Sequence, residues 1–302
     1  ATGKTSFLTN AGKSSRSGIE LVVDGTPVKE DNFVWNISVN FGTSNPTVDE
    51  LPGGLESINA PGGNDDWGFV YVVHELGNKW GQLRGRAIRT DEATGQPVIN
   101  AATGTYAYDT DQYLGSVLPD FTGGVYNSFT IMKLINVAAS IDFQKGGKFF
   151  SLSEMWGNYS GLLAETAAIN DNGMNVRDAI DDGGGVHVVG VDTDGNPYDD
   201  YVDSYTYFSQ FQSNTVASQF VHNADYVKLR DVSVSVNLPK KWMDQTFIRS
   251  ATVGFVGRNL WMISVADDNI HGWDPSEMSR TYGENAGLPG TRSYGFDVKL
   301  TF

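Results

Sequence analysis

One acidic stretch carries the spacing of a cation-binding loop. In VDTDGNPYDD, Asp192, Asp194 and Asn196 occupy alternate positions, and Gly195 permits a tight bend between them. Carboxylate and amide oxygens are the ligands that Ca²⁺ prefers, and a following Asp could add one more. D-G-N is also a common turn signal, and no bidentate Glu follows at the EF-hand distance. Two interpretations stay open, a calcium site at Asp192, Asp194 and Asn196 or an ordinary turn.

The other reactive side chains lack the patterns of catalytic sites. The chain has four histidines, His74, His187, His222 and His271. None of them stands in HExxH spacing, and neither a GxSxG elbow nor a Walker loop is present. The string QKGGK at 144–148 lacks the spacing of a phosphate loop. Paired carboxylates such as Asp181 and Asp182 lie in acidic, Gly-rich sequence, which is typical of solvated charge. We therefore expect no enzyme activity.

Composition limits the partners of the chain. Its 302 residues include no Cys, carry a formal net charge of -15 and have a mean hydropathy of -0.28. The absence of Cys excludes a disulfide scaffold and a thiolate metal site. The negative charge opposes nucleic acid as a partner, because phosphates require a basic face. No apolar run approaches the roughly 18 residues of a membrane-spanning helix, so a membrane crossing would require a closed barrel.

The C-terminal segment TRSYGFDVKLTF has one apolar and one polar face. From Tyr294 to Phe302 every second residue is apolar, and the residues between them are polar or small. Such a strand fits a soluble sandwich, whose polar face meets water, or a transmembrane barrel, whose polar face lines the lumen. The terminal aromatic Phe302 favours the barrel, since aromatics form girdles at the membrane boundary.

Strand patterns recur along the chain, and the connections between them are alternately short and long. The predicted strands are 18–23, 32–41, 120–129, 134–143, 226–238, 247–261 and 292–302, with strand-like pieces at 68–76 and 81–88. Long segments that we interpret as mostly loop occupy about 44–119, 144–224 and 264–291. Outer-membrane barrels have this asymmetry, with tight periplasmic turns and long extracellular loops. We predict an all-β fold, a transmembrane antiparallel β-barrel with Phe302 at its periplasmic end.

Three aromatic residues are candidates for the membrane girdle, where they would meet lipid and lipopolysaccharide. Phe247 and Trp261 share a parity within 247–261, and Phe302 closes the last strand. The segment between the first two spans roughly 30–35 Å of membrane normal, at about 3.3 Å per residue and a tilt near 45°, which brackets an apolar band of about 25 Å. Arg249 interrupts the apolar pattern. Ordinary core aromatics of a sandwich are the alternative.

Several strings, in order, resemble one family. NADYVKLRDVSVSVNLP, IRSATVGFVGRNLWMI, WDPSEM and LPGTRSYGFDVKLTF are similar to the C-terminal end of SusC/RagA-type TonB-dependent transporters of Gram-negative outer membranes. Upstream, NAGKSSRSGIEL, NFVWNISVNF, VLPDFTGGVYNSFTI and IDFQKGG resemble the preceding blocks of that family. The resemblance extends from about residue 10 to 302, the loops excepted.

The resemblance implies more than this chain supplies. Members of the family have a barrel of about 22 strands, a plug domain, a segment that engages TonB, and a SusD-type surface lipoprotein that closes over the barrel. Here we predict about seven to nine strands and no plug, and unpaired strand edges in hydrocarbon cost several kcal/mol per unsatisfied group. We therefore expect 1–302 to form a C-terminal arc of a larger barrel, without the plug and the N-terminal strands. The first residues have the character of mid-chain sequence.

Two functions fit this fold, which does not decide between them. The resemblance implies TonB-dependent import of oligosaccharides or peptides across the outer membrane, together with a SusD-like lipoprotein. The alternative is a surface scaffold or interaction partner of an export or attachment system. We expect the long loops to be extracellular and to contact the lipoprotein, with Trp273 as the candidate aromatic contact. A packed loop aromatic without a partner is the alternative for Trp273.

Two cations stand in the middle of an apolar strand pattern. Lys228 and Arg230 share parity with the valines of 232–236, which predicts that both point outward from the barrel. A charge at the lipid midplane costs about 2–4 kcal/mol, so both would lie in the outer headgroup zone, where the cost falls to about 0–1 kcal/mol. A β-bulge near Asp231 is the alternative, and it would turn both cations into the lumen and Leu229 outward.

Overall fold

The computed structural model describes residues 12–64 and 67–302. Residues 1–11, which we interpret as mid-chain sequence, lie outside the described residues. The strands are β1 (Lys13–Ser17), β2 (Glu20–Glu30), β3 (Phe33–Thr43), β4 (Asn45–Glu50), β5 (Ser57–Asn64), β6 (Val70–Glu75), β7 (Gln82–Ile88), β8 (Val98–Asn100), β9 (Thr105–Tyr106), β10 (Tyr108–Ser116), β11 (Phe121–Ile131), β12 (Ile135–Lys145), β13 (Lys148–Ser151), β14 (Val186–Asp192), β15 (Pro197–Val202), β16 (Val221–Asn223), β17 (Tyr226–Asn237), β18 (Ser250–Val265), β19 (Gly283–Glu284) and β20 (Ser293–Thr301). The α-helices are α1 (Leu152–Tyr159) and α2 (Ser204–Ser213). No helix among the described residues has the length and apolar character needed to cross a membrane.

One antiparallel sheet contains the seven predicted strands. Its order is β2, β3, β11, β12, β17, β18 and β20, so each strand pairs with the next member of the series. The predicted strand 18–23 is too short, because a bulge between Gly25 and Val28 carries β2 through the expected turn as far as Glu30. β2 and β20 form the two edges of the sheet, which is therefore open within the described residues.

The two faces of this sheet differ in polarity, as the period-2 patterns predict. One row of paired residues on the apolar face consists of Val28, Trp35, Phe129, Val137, Val234, Phe255 and Phe296. The adjacent row on the opposite face consists of Lys29, Val34, Thr130, Asn136, Ser235, Gly254 and Asp297. The apolar face is uncovered, and Phe296 is 83% exposed. We call the first the outer face and the second the inner face.

Short and long connections lie at opposite ends of the sheet. At one end, β2 joins β3 through 31–32, β11 joins β12 through 132–134, and β17 joins β18 through 238–249. Met132 and Lys133 both have positive φ values, 52° and 59°, which a tight hairpin with the right-handed twist of its strands requires. The three long connections therefore emerge together at the other end, next to one another.

The first two long connections are folded, and the interpretation of them as mostly loop is wrong. They contain β4–β10, β13–β16 and both helices. The third, 264–291, is mostly loop as predicted and contributes the short strand β19. The apolar side chains of the three connections form the main buried core of the described residues, which includes Phe69, Val72, Leu83, Phe150, Met155, Phe211, Phe220 and Tyr282. These residues come from all three long connections. We call the resulting structure the loop layer.

A close backbone contact joins the third long connection to the second. β19 pairs with β13 in parallel, and Gly283 lies opposite Phe150. A Cβ on Gly283 would lie 2.1 Å from the Phe150 carbonyl oxygen, and Gly283 has a φ of 148°. Only glycine fits this position, so the third connection is held against the loop layer by its backbone.

A charge on the outer face tests whether that face meets lipid. We expect Val234→Arg to destabilise the full-length protein, folded in lipid vesicles, by about 2–4 kcal/mol if the side chain lies near the bilayer midplane. Ser235→Arg, one residue along on the inner face, is the matched control and should cost less. The measurement is denaturant unfolding in vesicles. Equal costs for the two variants would show that the outer face is not lipid-exposed.

Candidate functional site

A bulge in β17 decides which side chains the sheet presents to the loop layer. Ser140 of β12 pairs with Asp231, whereas the next residue, Ile141, pairs with Leu229. Arg230 is therefore an extra residue in β17, and the face alternation changes there. Leu229 joins the apolar outer face, and Lys228 joins the inner face.

The prediction that Lys228 and Arg230 point outward is therefore wrong. The alternative, a bulge that turns both inward, is what the structure has. The physical reason is that the strand VKLRD offers an apolar residue on either face, so one inserted residue places Leu229 outward and removes both cations from the apolar surface.

Both cations form ion pairs that connect the sheet to the third long connection. Lys228 is 2% exposed, and its Nζ donates to Asp274 Oδ2 at 2.5 Å and to Ser276 Oγ at 3.1 Å. Arg230 Nε donates to Asp142 Oδ2 at 2.6 Å, on the neighbouring strand β12. Glu277 Oε1 lies 3.4 Å from Lys228 Nζ and 3.6 Å from Arg230 Nη1. A buried cation requires such partners, so this network fixes 274–277 on the inner face.

The acidic stretch at 192–196 forms the turn of the β14–β15 hairpin. Asp192 Oδ1 accepts hydrogen bonds from the backbone N–H of Asp194 at 2.8 Å and of Asn196 at 2.9 Å. The Asn196 side chain donates to Asp192 Oδ2 at 3.0 Å, and this bond is the main cause that lowers the pKa of Asp192. These are the contacts of the turn alternative. Calcium at Asp192, Asp194 and Asn196 stays a prediction.

A histidine on the same hairpin bridges two carboxylates. His187 Nε2 lies 2.7 Å from Asp199 Oδ1, and its Nδ1 lies 2.7 Å from Asp171 Oδ2. The ring stacks on Tyr201, with the centroids 4.8 Å apart, and the Tyr201 hydroxyl donates to Asp171. Both ring nitrogens can donate hydrogen bonds at the same time only in the imidazolium form. The pKa of His187 is raised, mainly by its hydrogen bond with Asp199.

Trp273 is half-buried in the third long connection. Its backbone N–H donates to Asn269 Oδ1 at 2.9 Å, and its carbonyl accepts from Asn269 Nδ2 at 2.7 Å. The indole N–H is buried and meets no acceptor in the described part of the chain. The structure thus gives Trp273 a fixed backbone and an unused donor, and its role in partner contact stays a prediction.

The three candidate girdle aromatics are exposed at the sheet surface. Phe247, just before β18, stacks on Phe302, with the ring centroids 5.4 Å apart and an interplanar angle of 20°. Trp261 is 57% exposed and pairs with Leu229, towards the end of the sheet that carries the loop layer. Aromatics thus stand near both ends of the outer face, and their membrane contact stays a prediction.

A buried group of titratable side chains within the loop layer has no local signal in the sequence. Glu154 of α1 and His222 of β16 are each 5% exposed, and His222 Nε2 lies 2.6 Å from Glu154 Oε2. His271 Nε2 lies 3.3 Å from Glu165 Oε1 and 3.8 Å from Glu154 Oε1. The four residues come from three separated segments, so sequence spacing does not reveal the group. Among the described residues, no cluster of His, Cys, Asp or Glu is arranged to hold a metal ion.

The fold is found in solved structures. The chain is similar to a chain of the RagAB peptide transporter, with a TM-score of 0.62 and 18% identity over 97% of this chain and 30% of that chain. The RagAB peptide importer in its closed-closed state matches with a TM-score of 0.60 and 18% identity, over 97% of this chain and 30% of that chain. The open-open state of the importer matches with a TM-score of 0.59 and 18% identity, over 96% of this chain and 29% of that chain. No protein-family model matches the sequence, and no curated protein matches it.

These comparisons establish the fold. The chain has the fold of part of a β-barrel transporter, and its secondary structure, which is mostly β-strand, agrees with the predicted all-β class. It spans about 30% of the length of the chains that it matches. The likeness covers 97% of this chain, so it includes the loop layer as well as the seven-stranded sheet.

The Lys228 network predicts a local destabilisation when the cation is removed. Lys228→Met leaves Asp274 without its cation and leaves Glu277 with Arg230 alone. We expect a cost on the order of 2 kcal/mol, below the range for fully buried pairs, because the Asp274 side chain is 27% exposed. The measurement is the rate at which protease cleaves 264–291 in the full-length protein. Lys240→Met, at an exposed turn, is the control.

A second variant separates the ion pair from general packing. Lys228→Met with Asp274→Asn removes both charges but keeps the side-chain oxygen that accepts the Ser276 N–H. We expect this pair to resist protease better than Lys228→Met alone. Wild-type resistance in the single variant would contradict the proposed anchoring.

The His187 bridge predicts a pH dependence in the β14–β15 hairpin. Because the pKa of His187 is raised in the folded state, its stabilisation is fully present below the unfolded value of about 6.5 and is lost as pH rises through the folded value. Amide exchange protection in 186–202, corrected for intrinsic rates, should therefore fall from pH 6 to pH 9. His187→Gln should abolish that fall. An unchanged pH profile in the variant would exclude His187 as its origin.

Proposed function

We propose that the chain is the C-terminal arc of an outer-membrane TonB-dependent transporter that imports peptides or oligosaccharides. The likeness to the RagAB peptide importer, over 97% of this chain, carries the proposal and favours peptides. Transport of this kind needs a barrel wall with an apolar outside and a polar inside, and the sheet has both faces.

The rest of the barrel would come from sequence that this chain does not include. The sheet edges β2 and β20 are the places where the missing strands would pair, since unpaired edges are costly in hydrocarbon. The plug and the segment that engages the TonB complex belong to the same missing part. This arrangement accounts for a chain that spans about 30% of the chains it matches.

The loop layer is the surface that we propose for a SusD-like lipoprotein. It lies at the end of the sheet opposite the short turns, which is the extracellular end in outer-membrane barrels. Trp273, which is half-buried in the third long connection, is the aromatic residue that we propose for that contact. The outer face and the aromatics Phe247, Trp261 and Phe302 would meet lipid and lipopolysaccharide.

Uptake by living cells tests the proposal. The full-length gene is deleted in its host, and accumulation of labelled peptides and labelled oligosaccharides is measured with and without a plasmid copy. We expect peptide accumulation to fall at least about tenfold on deletion, to recover with the plasmid copy, and to fall equally when TonB is inactivated. Unchanged uptake of both ligand classes, together with loss of a secreted or surface-attached protein, would support the scaffold function and contradict import.

A further inference from the structure

We propose that a cavity in the loop layer binds the ammonium group of a lysine-bearing peptide. The cavity has a volume of about 380 Å³ and lies between α1, α2, β16 and the third long connection. That volume is within the range of about 300–1,000 Å³ that small-ligand pockets occupy. The proposal rests on the proposed import of peptides, and it names the chemical class of peptide that this site selects.

The charge of the cavity wall favours a cation. Three carboxylates line it, those of Glu154, Glu165 and Asp268, and among the described residues no Lys or Arg lines it. Glu154 is held by His222. Asp268 accepts hydrogen bonds from the Asn223 backbone N–H at 2.9 Å and from the Asn223 side chain at 2.8 Å. Glu165 has the looser contact, 3.3 Å from His271 Nε2, so its carboxylate is the one with capacity for a new donor.

One buried polar side chain independently indicates that something is to be bound. Asn158 of α1 lines the cavity and is only 7% exposed. The hydrogen bonds given for Asn158 among the described residues involve its backbone, such as the one from the Gly161 N–H to its carbonyl at 3.1 Å. Placing the amide side chain in a largely buried position without a partner carries a desolvation cost that a ligand would relieve.

The remaining wall matches the stem of a lysine side chain. Tyr207, Phe208, Phe211, Phe220 and Ile270 supply aromatic and aliphatic surface beside the carboxylates. A lysine buries its four methylene groups along such surface and presents its charge at the tip, where aromatic faces also attract it. A metal ion is the weaker occupant, because no described cluster has the arrangement of a metal site.

The mode of binding is a charge-assisted hydrogen bond. An ammonium group has three N–H donors and no acceptor, so it would donate to the carboxylate of Glu165 and to the side-chain oxygen of Asn158. A neutral side chain would leave the Asn158 oxygen without a donor and Glu165 with its contact to His271 alone. The site should therefore distinguish lysine from norleucine, which differs from it only by the ammonium group.

Calorimetric titration of the purified full-length transporter tests this directly. The probes are N-acetyl-Lys-Phe-amide and N-acetyl-norleucine-Phe-amide. We expect the lysine probe to bind at least about tenfold more tightly, the factor that one charged hydrogen bond supplies. Glu165→Gln should remove that preference, whereas Glu92→Gln, at an exposed position elsewhere in the loop layer, should keep it.

A second variant keeps the test decisive if Glu165→Gln does not fold. Ala168 lies at the exposed rim of the cavity, so Ala168→Trp should block it without disturbing the core, and both probes should then bind weakly. Equal affinity of wild-type protein for the two probes, or an unchanged preference in Glu165→Gln, would overturn the proposal. So would binding of Zn²⁺ alone that Glu165→Gln abolishes. Lysine preference without peptide uptake by cells would overturn the proposed import and leave this site standing.

Discussion

The ion pairs of Lys228 constrain everything that lies above the sheet. One extra residue at Arg230 turns Lys228 to the inner face, where the residue is 2% exposed and its ammonium donates to Asp274 at 2.5 Å. A cation buried to that degree must be paired, so the third long connection has to fold back onto the sheet at 274–277. The same bulge places Leu229 outward and keeps the outer face apolar.

The loop layer follows from that anchor. Once 274–277 is fixed, Tyr282 and Gly283 reach the core, and β19 pairs with β13 through a contact that only glycine permits. The second connection then encloses the Glu154 and His222 pair, while the first supplies Phe69 and its neighbours. The hydrophobic core thus lies in the connections, because the outer face of the sheet is apolar and uncovered and cannot serve as a core surface.

Local patterns predicted the sheet, and non-local contacts produced the rest. The alternation of apolar and polar residues along 134–143 and 292–302 predicts which residues share a face, because this pattern depends only on neighbours in the sequence. The string VKLRD is compatible with Lys228 on either face of the sheet. The face is determined by its partner Asp274, which lies 46 residues away in the sequence. The core of the loop layer could not be predicted from the sequence either, because its strands are short and its contacts join segments that are remote in the sequence. Asp192, Asp194 and Asn196 have the sequence of a cation loop and the contacts of a turn.

Oxygen accessibility of single spin labels tests the face assignment most directly, and the chain's lack of Cys makes each label unique within it. Labels at Ala139→Cys and Leu229→Cys, in the full-length protein in lipid vesicles, should be accessible to oxygen, which partitions into lipid. A label at Ser140→Cys should instead be accessible to a water-soluble nickel chelate. A label at 229 that behaves like the one at 140 would contradict the bulge, the inward Lys228 and the anchor that depends on it.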